Sequence, residues 1–263
     1  MTVLPKLPRV PPLWRESRVA LEAAALRRSA VLRGRGVPAG ERRPVLLIPG
    51  FFAGDASLKT MSSWLRDAGY CTHRTGIRVN LDCSEEACAR LETRLEQLAR
   101  RHRERVVVIG QSRGGVFAKA LAARRPDLVA GIVTLGSPVV SQLAVHPLVL
   151  AQVGLVAALG SSRLPGLMTI RCLRGECCAP FRAALEGKFP AGVGYVALYS
   201  RSDGIVDWRA CLDPEAQRCV EVRASHCGMG LNAGVYERVA EALRAFGEGE
   251  APVDLARDVR FAA

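Results

Sequence analysis

One stretch constrains the fold of this chain more than any other: Val106-Val107-Val108-Ile109-Gly110-Gln111-Ser112-Arg113-Gly114-Gly115. Its β-branched run reads as a strand buried on both faces. The helical pattern of Ser112–Arg124 begins at once, with no loop between. A turn that sharp crowds two backbones, so the residues two before and two after its apex must be small, and here they are Gly110 and Gly114. Ser112 at the apex then projects above the sheet on a strained turn, over a helix N-terminus that favours negative charge. The plainer reading of the same residues is a glycine-rich turn with an idle serine.

The rest of the chain supplies a sheet around that strand. Short apolar runs at Val45–Ile48, Ile77–Val79 (the weakest), Val129–Leu135, Val193–Tyr199 and Cys219–Val222 alternate with helical stretches at Ser57–Ala68, Ser84–Arg101 and Val235–Phe246. Continuous Val/Ile runs separated by helices predict an α/β fold: a mainly parallel sheet of about six strands, flanked by helices on both faces. Before Pro44 the pattern differs. Pro5, Pro8, Pro11 and Pro12 predict an extended lead-in, and Trp14–Arg33 a helix broken off by Gly34, Gly36, Pro38 and Gly40. The expected organisation is therefore an N-terminal extension (1–43) and one α/β domain (44–263).

Composition narrows the function classes. With 263 residues and 49% hydrophobic content the chain buries a full core without a staple, and disorder as its main state is excluded. The net charge of +12 invites a nucleic-acid reading. Yet only Lys6, Lys59, Lys119 and Lys188 are lysines, and the arginines are scattered among Ala, Leu and Glu along helices, as at Arg94, Arg100, Arg101, Arg103 and Arg105. Aromatics are 5% of the chain and do not interleave with them, so no nucleic-acid partner is expected. Attraction to anionic lipid or an acidic substrate stays open.

A serine hydroxyl needs a base, and the base an orienting acid. Of the four histidines, His73 and His102 precede the serine among arginines, and His146 lies before any suitable acid. His226 follows the late strand Cys219–Val222 in the small-residue loop Ala224-Ser225-His226-Cys227-Gly228. Asp203 is the first acid after the strand Val193–Tyr199, with Gly204 beside it to permit a tight turn; Asp207 is the fallback. Singly these read as a turn-capping Asp and a loop His, but the order Ser, acid, His after successive strands is much less common. An oxyanion hole is the last requirement, each preorganised donor being worth about 3–4 kcal/mol. The backbone N–H of Arg113 follows the serine. Pro49-Gly50-Phe51-Phe52, straight after the strand Val45–Ile48, exposes the N–H of Phe51.

These residues together resemble the α/β-hydrolase fold esterases and lipases, of the bacterial kind with a Pro-Gly-x oxyanion loop, from Pro44 to about Phe246. The resemblance implies Ser112 as nucleophile, Asp203 as acid, His226 as base, and the N–H groups of Phe51 and Arg113 as oxyanion donors. It implies a carboxylic ester hydrolase acting through an acyl-enzyme on lipid-like or apolar acyl esters, with no cofactor. Acyl transfer or thioester hydrolysis on the same triad, or a silent binding role, stay open. Two departures show: Pro49-Gly50 stands where His-Gly is commoner, and the sheet starts almost at the oxyanion strand, so two leading strands are missing or replaced by the N-terminal helix. In this family a lid commonly precedes the acid strand. Here that insertion is 139–190, and Val139–Ser162 contains no Asp, Glu, Lys or Arg. A bilayer span there would tear the sheet apart, so a cover over an apolar acyl site, opening against lipid or packed permanently, is expected.

Nine cysteines are many for this length. Cys83 and Cys88 are five apart, Cys172 lies near the adjacent Cys177 and Cys178, and Cys211 and Cys219 bracket a turn across which a disulfide is one alternative. No spacing forms the paired CxxC pattern of zinc sites, so no metal is expected. The first thirty residues lack a secretory pattern, which with mostly free thiols predicts a cytoplasmic protein.

Overall fold

The computed structural model describes residues 10–162 and 164–247; the lead-in around Pro5 and Pro8 lies outside them. Six strands form one parallel sheet: β1 (Pro44–Ile48), β2 (Cys71–Arg74), β3 (Val106–Gln111), β4 (Val129–Leu135), β5 (Gly194–Tyr199) and β6 (Arg218–Glu221). Their spatial order is β2-β1-β3-β4-β5-β6. Alternate residues of the central strands feed two cores. Leu46, Ile48, Val106, Val108 and Ile132 face α3 (Ser84–His102), α4 (Arg113–Arg124) and α7 (Ala179–Glu186). Val45, Leu47, Val107, Ile109 and Val133 face α1 (Val19–Arg28), α2 (Lys59–Asp67) and α8 (Ala233–Gly247). Strands buried on both faces have no polar side, which is why their runs are continuously apolar.

Two sequence expectations are corrected. Ile77–Val79 is not a strand; the edge strand is Cys71–Arg74, paired to β1 alone. An edge strand with half-buried faces needs no apolar run, so Cys-Thr-His-Arg carried no signal. Instead Ile77–Val79 runs over the sheet edge, where the Ile77 carbonyl accepts from Asp55 N–H at 3.0 Å. The single helix expected over Trp14–Arg33 is a 3-10 turn (Leu13–Arg18), then α1, then a second 3-10 turn (Val31–Arg33), broken where Ser29 takes an extended conformation. This segment is packed into the domain. Leu26 and Val31 are buried, and Trp64 Nε1 donates to the Val31 carbonyl at 2.9 Å.

The parallel register gathers the functional loops. Ile48 is level with Gly110, Gln111 with Leu135, Leu135 with Leu198, and Tyr199 with Glu221. All six parallel strands therefore end at one edge, and the loops carrying Gly50, Ser112, Asp203 and His226 leave the sheet side by side. Between β4 and β5 the chain departs to build a cap from α5 (Pro147–Ser161), α6 (Ile170–Leu173) and α7.

Candidate active site

Ser112 sits between β3 and α4 with φ 53° and ψ −122°, a backbone state that a side-chain-bearing residue holds only under constraint. The constraint is visible. Ser112 N–H donates to the Leu135 carbonyl at 2.8 Å. A Cβ on Gly110 would lie 2.2 Å from the Gly114 carbonyl oxygen, and one on Gly114 would lie 2.1 Å from that of Ile48. Neither position tolerates a side chain, so both glycines of the sequence motif are steric necessities. Ser112 stands over the first turn of α4, whose N–H groups lack intrahelical acceptors.

Asp203 and His226 are brought together. His226 Nδ1 donates to Asp203 Oδ2 at 2.7 Å, and both side chains are buried. The other oxygen, Oδ1, accepts from the N–H groups of Ile205 (2.8 Å) and Val206 (2.7 Å), which fixes the carboxylate plane. Burial alone lowers the pKa of His226, but the charge and hydrogen bond of Asp203, aided by the Glu16 charge, outweigh it and raise the value above that of an ordinary histidine. With Nδ1 committed as donor, Nε2 is left as the acceptor. Ser112 and His226 line one cleft of about 550 Å³, together with Phe51 and Arg113. Gly50 packs on the serine, a Cβ there lying 3.2 Å from Ser112 Cβ. Asn80 Nδ2 holds the Pro49 carbonyl at 2.9 Å, and the Arg113 guanidinium in turn grips Asn80 at its carbonyl and side-chain oxygens, both at 3.0 Å. Burial pulls the pKa of Arg113 down to about 10, against the opposing charges of Asp82 and neighbouring thiols, so it stays cationic at neutral pH.

The remaining candidates lie elsewhere. Asp207 accepts from Arg209 N–H at 3.1 Å as the cap of a 3-10 turn. His146 caps α5 through Nδ1, which accepts from Leu148 N–H at 3.2 Å. His73 and His102 pair through their Nε2 atoms at 2.9 Å, and burial with the neighbouring His102 and arginine charges lowers His73 to about 4.

Several supports of the site carried no sequence signal. Glu16 Oε1 accepts from the N–H groups of His226 and Gly204, both at 2.9 Å, and Oε2 from Cys227 N–H at 2.8 Å. Glu22 accepts from Ser225 N–H and Oγ, both at 2.8 Å. The N-terminal segment thus clamps the histidine loop with two carboxylates. Gln111 Nε2 donates to the His226 carbonyl at 3.0 Å, and Ser200 Oγ to the Ala224 carbonyl at 2.6 Å, tying that loop to its neighbours. Such contacts link residues up to 211 positions apart, beyond any local pattern.

No family model matches the sequence, and no curated protein matches it at a meaningful level. Solved structures do. The mature lipase of Bacillus licheniformis aligns with a TM-score of 0.58 at 14% identity, over 78% of this chain and 94% of that one. The monoacylglycerol lipase of Paleococcus ferrophilus aligns at 0.54 with 14% identity, over 81% and 97%. A metagenome-derived lipolytic enzyme aligns at 0.54 with 16% identity, over 79% and 96%. The chain has the α/β-hydrolase fold.

On this α/β-hydrolase scaffold the cap roofs the cleft. α5 presents Val149, Leu150 and Val153 to it, and Met168 and Phe181 complete an apolar wall. The cap is anchored at both legs. Val145 bridges Val206 beside the Asp203 loop, and Met168 N–H donates to the Leu81 carbonyl at 2.8 Å. The outer face of α5 leaves Leu148, Leu155 and Leu159 exposed. Among the described residues no helix is long and apolar enough to cross a membrane. All nine cysteines are free, so the bridge weighed between Cys211 and Cys219 is not formed.

Proposed function

We propose that this protein is a serine hydrolase of carboxylic esters with apolar acyl groups. The observation that carries the reading is the buried His226–Asp203 pair at 2.7 Å in the same cleft as a serine held at φ 53°. Names of the aligned structures, lipases and a lipolytic enzyme, support the same chemistry.

In this mechanism His226 Nε2 takes the Ser112 proton as Oγ attacks the ester carbonyl. Asp203 holds the imidazole in the Nδ1–H tautomer and stabilises the imidazolium. The carbonyl oxygen becomes an oxyanion received by the N–H groups of Phe51 and Arg113, the second at the start of α4. His226 then protonates the departing alcohol, leaving Ser112 acylated. Water enters, gives its proton to His226, attacks the acyl carbonyl, and the acid leaves as Ser112 regains its proton. The acyl chain lies along Val149, Val153 and Met168.

A p-nitrophenyl ester series from short to long acyl chains, with fluorophosphonate labelling, tests this. Turnover and labelling are expected in the wild type, both absent in Ser112→Ala. A folded wild type that neither labels nor hydrolyses any ester overturns the proposal.

A further inference from the structure

The cleft chemistry leaves one cluster unused. Cys83, in the loop before α3, meets Cys172, Cys177 and Cys178 of the cap, and all four sulfurs lie within 4.8 Å of one another. Cys83 Sγ is 3.7 Å from Cys177 and 3.6 Å from Cys178; Cys177 is 3.7 Å from Cys178 and 3.2 Å from Cys172. Four thiolates around a zinc ion at about 2.3 Å stand about 3.8 Å apart along the tetrahedron's edges. Cys177 touches all three others at comparable distances, which is the pattern of a shared centre. Two disulfides would instead draw the sulfurs into separate pairs at about 2.05 Å.

The surroundings suit an anionic thiolate centre. Thr169 N–H donates to Cys172 Sγ at 3.3 Å. The Arg113 guanidinium donates to the Asp82 carbonyl (2.6 Å) and Ser84 Oγ (3.1 Å), the residues on either side of Cys83. Cys83 also precedes the N-terminus of α3, the positive end of a helix of 19 residues. Gly175, at φ 77°, turns the chain so that Cys172 returns toward Cys177 and Cys178, and the Arg182 guanidinium covers that turn, donating to the Gly175 carbonyl at 3.1 Å. Cys83 and Cys178 are buried while Cys172 and Cys177 are partly open, giving an ion a way in.

We propose that Cys83, Cys172, Cys177 and Cys178 form a tetrahedral four-thiolate site for a soft divalent cation, zinc above all, which fastens the cap to the loops at the sheet edge. Binding breaks four S–H bonds, forms four metal–sulfur bonds and releases the protons to solvent. No electrons move. The resulting charge of about −2 is offset by Arg113 and Arg182. Sequence spacing concealed the site because one ligand comes from the strand-edge loop and the other three from a Cys-x4-Cys-Cys run in the cap.

The test uses the full chain, purified anaerobically, loaded with Zn²⁺ and desalted. About one zinc per chain is expected by elemental analysis, and loading with Co²⁺ instead gives sulfur-to-cobalt charge-transfer bands with the intense visible bands of tetrahedral coordination. Cys83→Ser and Cys177→Ser lose the bound zinc to a chelator that leaves the wild type loaded, while Cys71→Ser, a cysteine outside the cluster, retains it. A wild type that takes up no zinc overturns the proposal. So does a mass showing these thiols joined in disulfides, or zinc retained in a folded Cys83→Ser/Cys178→Ser double variant. None of these readouts depends on ester turnover, so the site and the ester hydrolase reading fail separately.

Discussion

The sheet edge and the cap hold the two walls of one cleft in different ways. At the edge each functional group is fixed by backbone. Ser112 is locked by two glycine contacts and one N–H bond, Asp203 by two N–H groups and an imidazole, and His226 by bonds to Glu16 and Gln111. In the cap the residues facing the cleft are mostly aliphatic, and the ties lie at its margins: the Val145–Val206 bridge, hydrogen bonds from the N–H groups of Val140, Met168 and Phe189 to Ala210, Leu81 and Glu215, and the thiol cluster. A reacting atom tolerates little displacement, whereas an acyl chain tolerates a good deal. On the proposed ester hydrolase reading, the chemistry is built where strands end and chain-length selection falls to the cap.

The largest effects should come from the edge. Ser112→Ala is expected to lower kcat by about 10⁶ with the thermal transition unchanged, as in serine hydrolases generally. Asp203→Asn, which mis-sets the imidazole tautomer, should lower it by about 10⁴. Comparable residual activity in Ser112→Ala would shift the chemistry off the sheet edge. Stability offers a second way to break the comparison. Lys119, on the helix that starts at Ser112, pairs with Asp213 at 2.5 Å, and Tyr195 Oη donates to the same carboxylate at 3.0 Å. Lys119→Met strands a buried carboxylate at about 3–5 kcal/mol, and the melting temperature should fall by roughly 10 °C in one cooperative step. A separate early transition of the cap would show that the pair supports only part of the domain.

A smaller effect belongs to the cap. Val153→Asp places a charge on the apolar wall and removes seating for two or three methylenes at about 0.8 kcal/mol each. Long-chain esters should lose about thirtyfold in kcat/KM while acetyl esters change by less than about twofold. Equal losses for both lengths would mean that the cap acts on the reacting atoms as well as on the chain.

The same division explains what was legible. Central strands, the sharp turn at Ser112 and the order Ser112, Asp203, His226 could be read because each depends on local pattern: β-branched runs, obligatory glycines, a position just after a strand. The edge strand Cys71–Arg74 escaped because a half-exposed strand needs no apolar run. Glu16, Glu22 and the four-thiol cluster escaped because their meaning arises only when distant segments meet. Glu16 and Glu22 look like the solvated acids of an Arg-rich helix until the fold places them under the histidine loop. The cap's charge-free run was visible, and its task was inferred from that absence of charge.

The smallest effect is the sharpest probe of how much of the edge's precision comes from the N-terminal segment. Glu16 touches no reacting atom; it positions His226 through backbone N–H bonds and adds a negative charge nearby. Base catalysis requires the neutral imidazole, so kcat/KM should rise with pH through the raised pKa of His226, placing the acid limb above the 6.5 of an ordinary histidine. Glu16→Gln keeps the shape and removes the charge. The imidazolium is then less stabilised, its pKa falls, and the limb should move to lower pH. Weakened hydrogen bonds to the loop should at the same time reduce the plateau by about tenfold, near 1.4 kcal/mol. A purely structural role would lower the plateau with the limb in place. A limb displaced upward would mean that Glu16 disfavours the imidazolium, opposite to the sign its negative charge predicts.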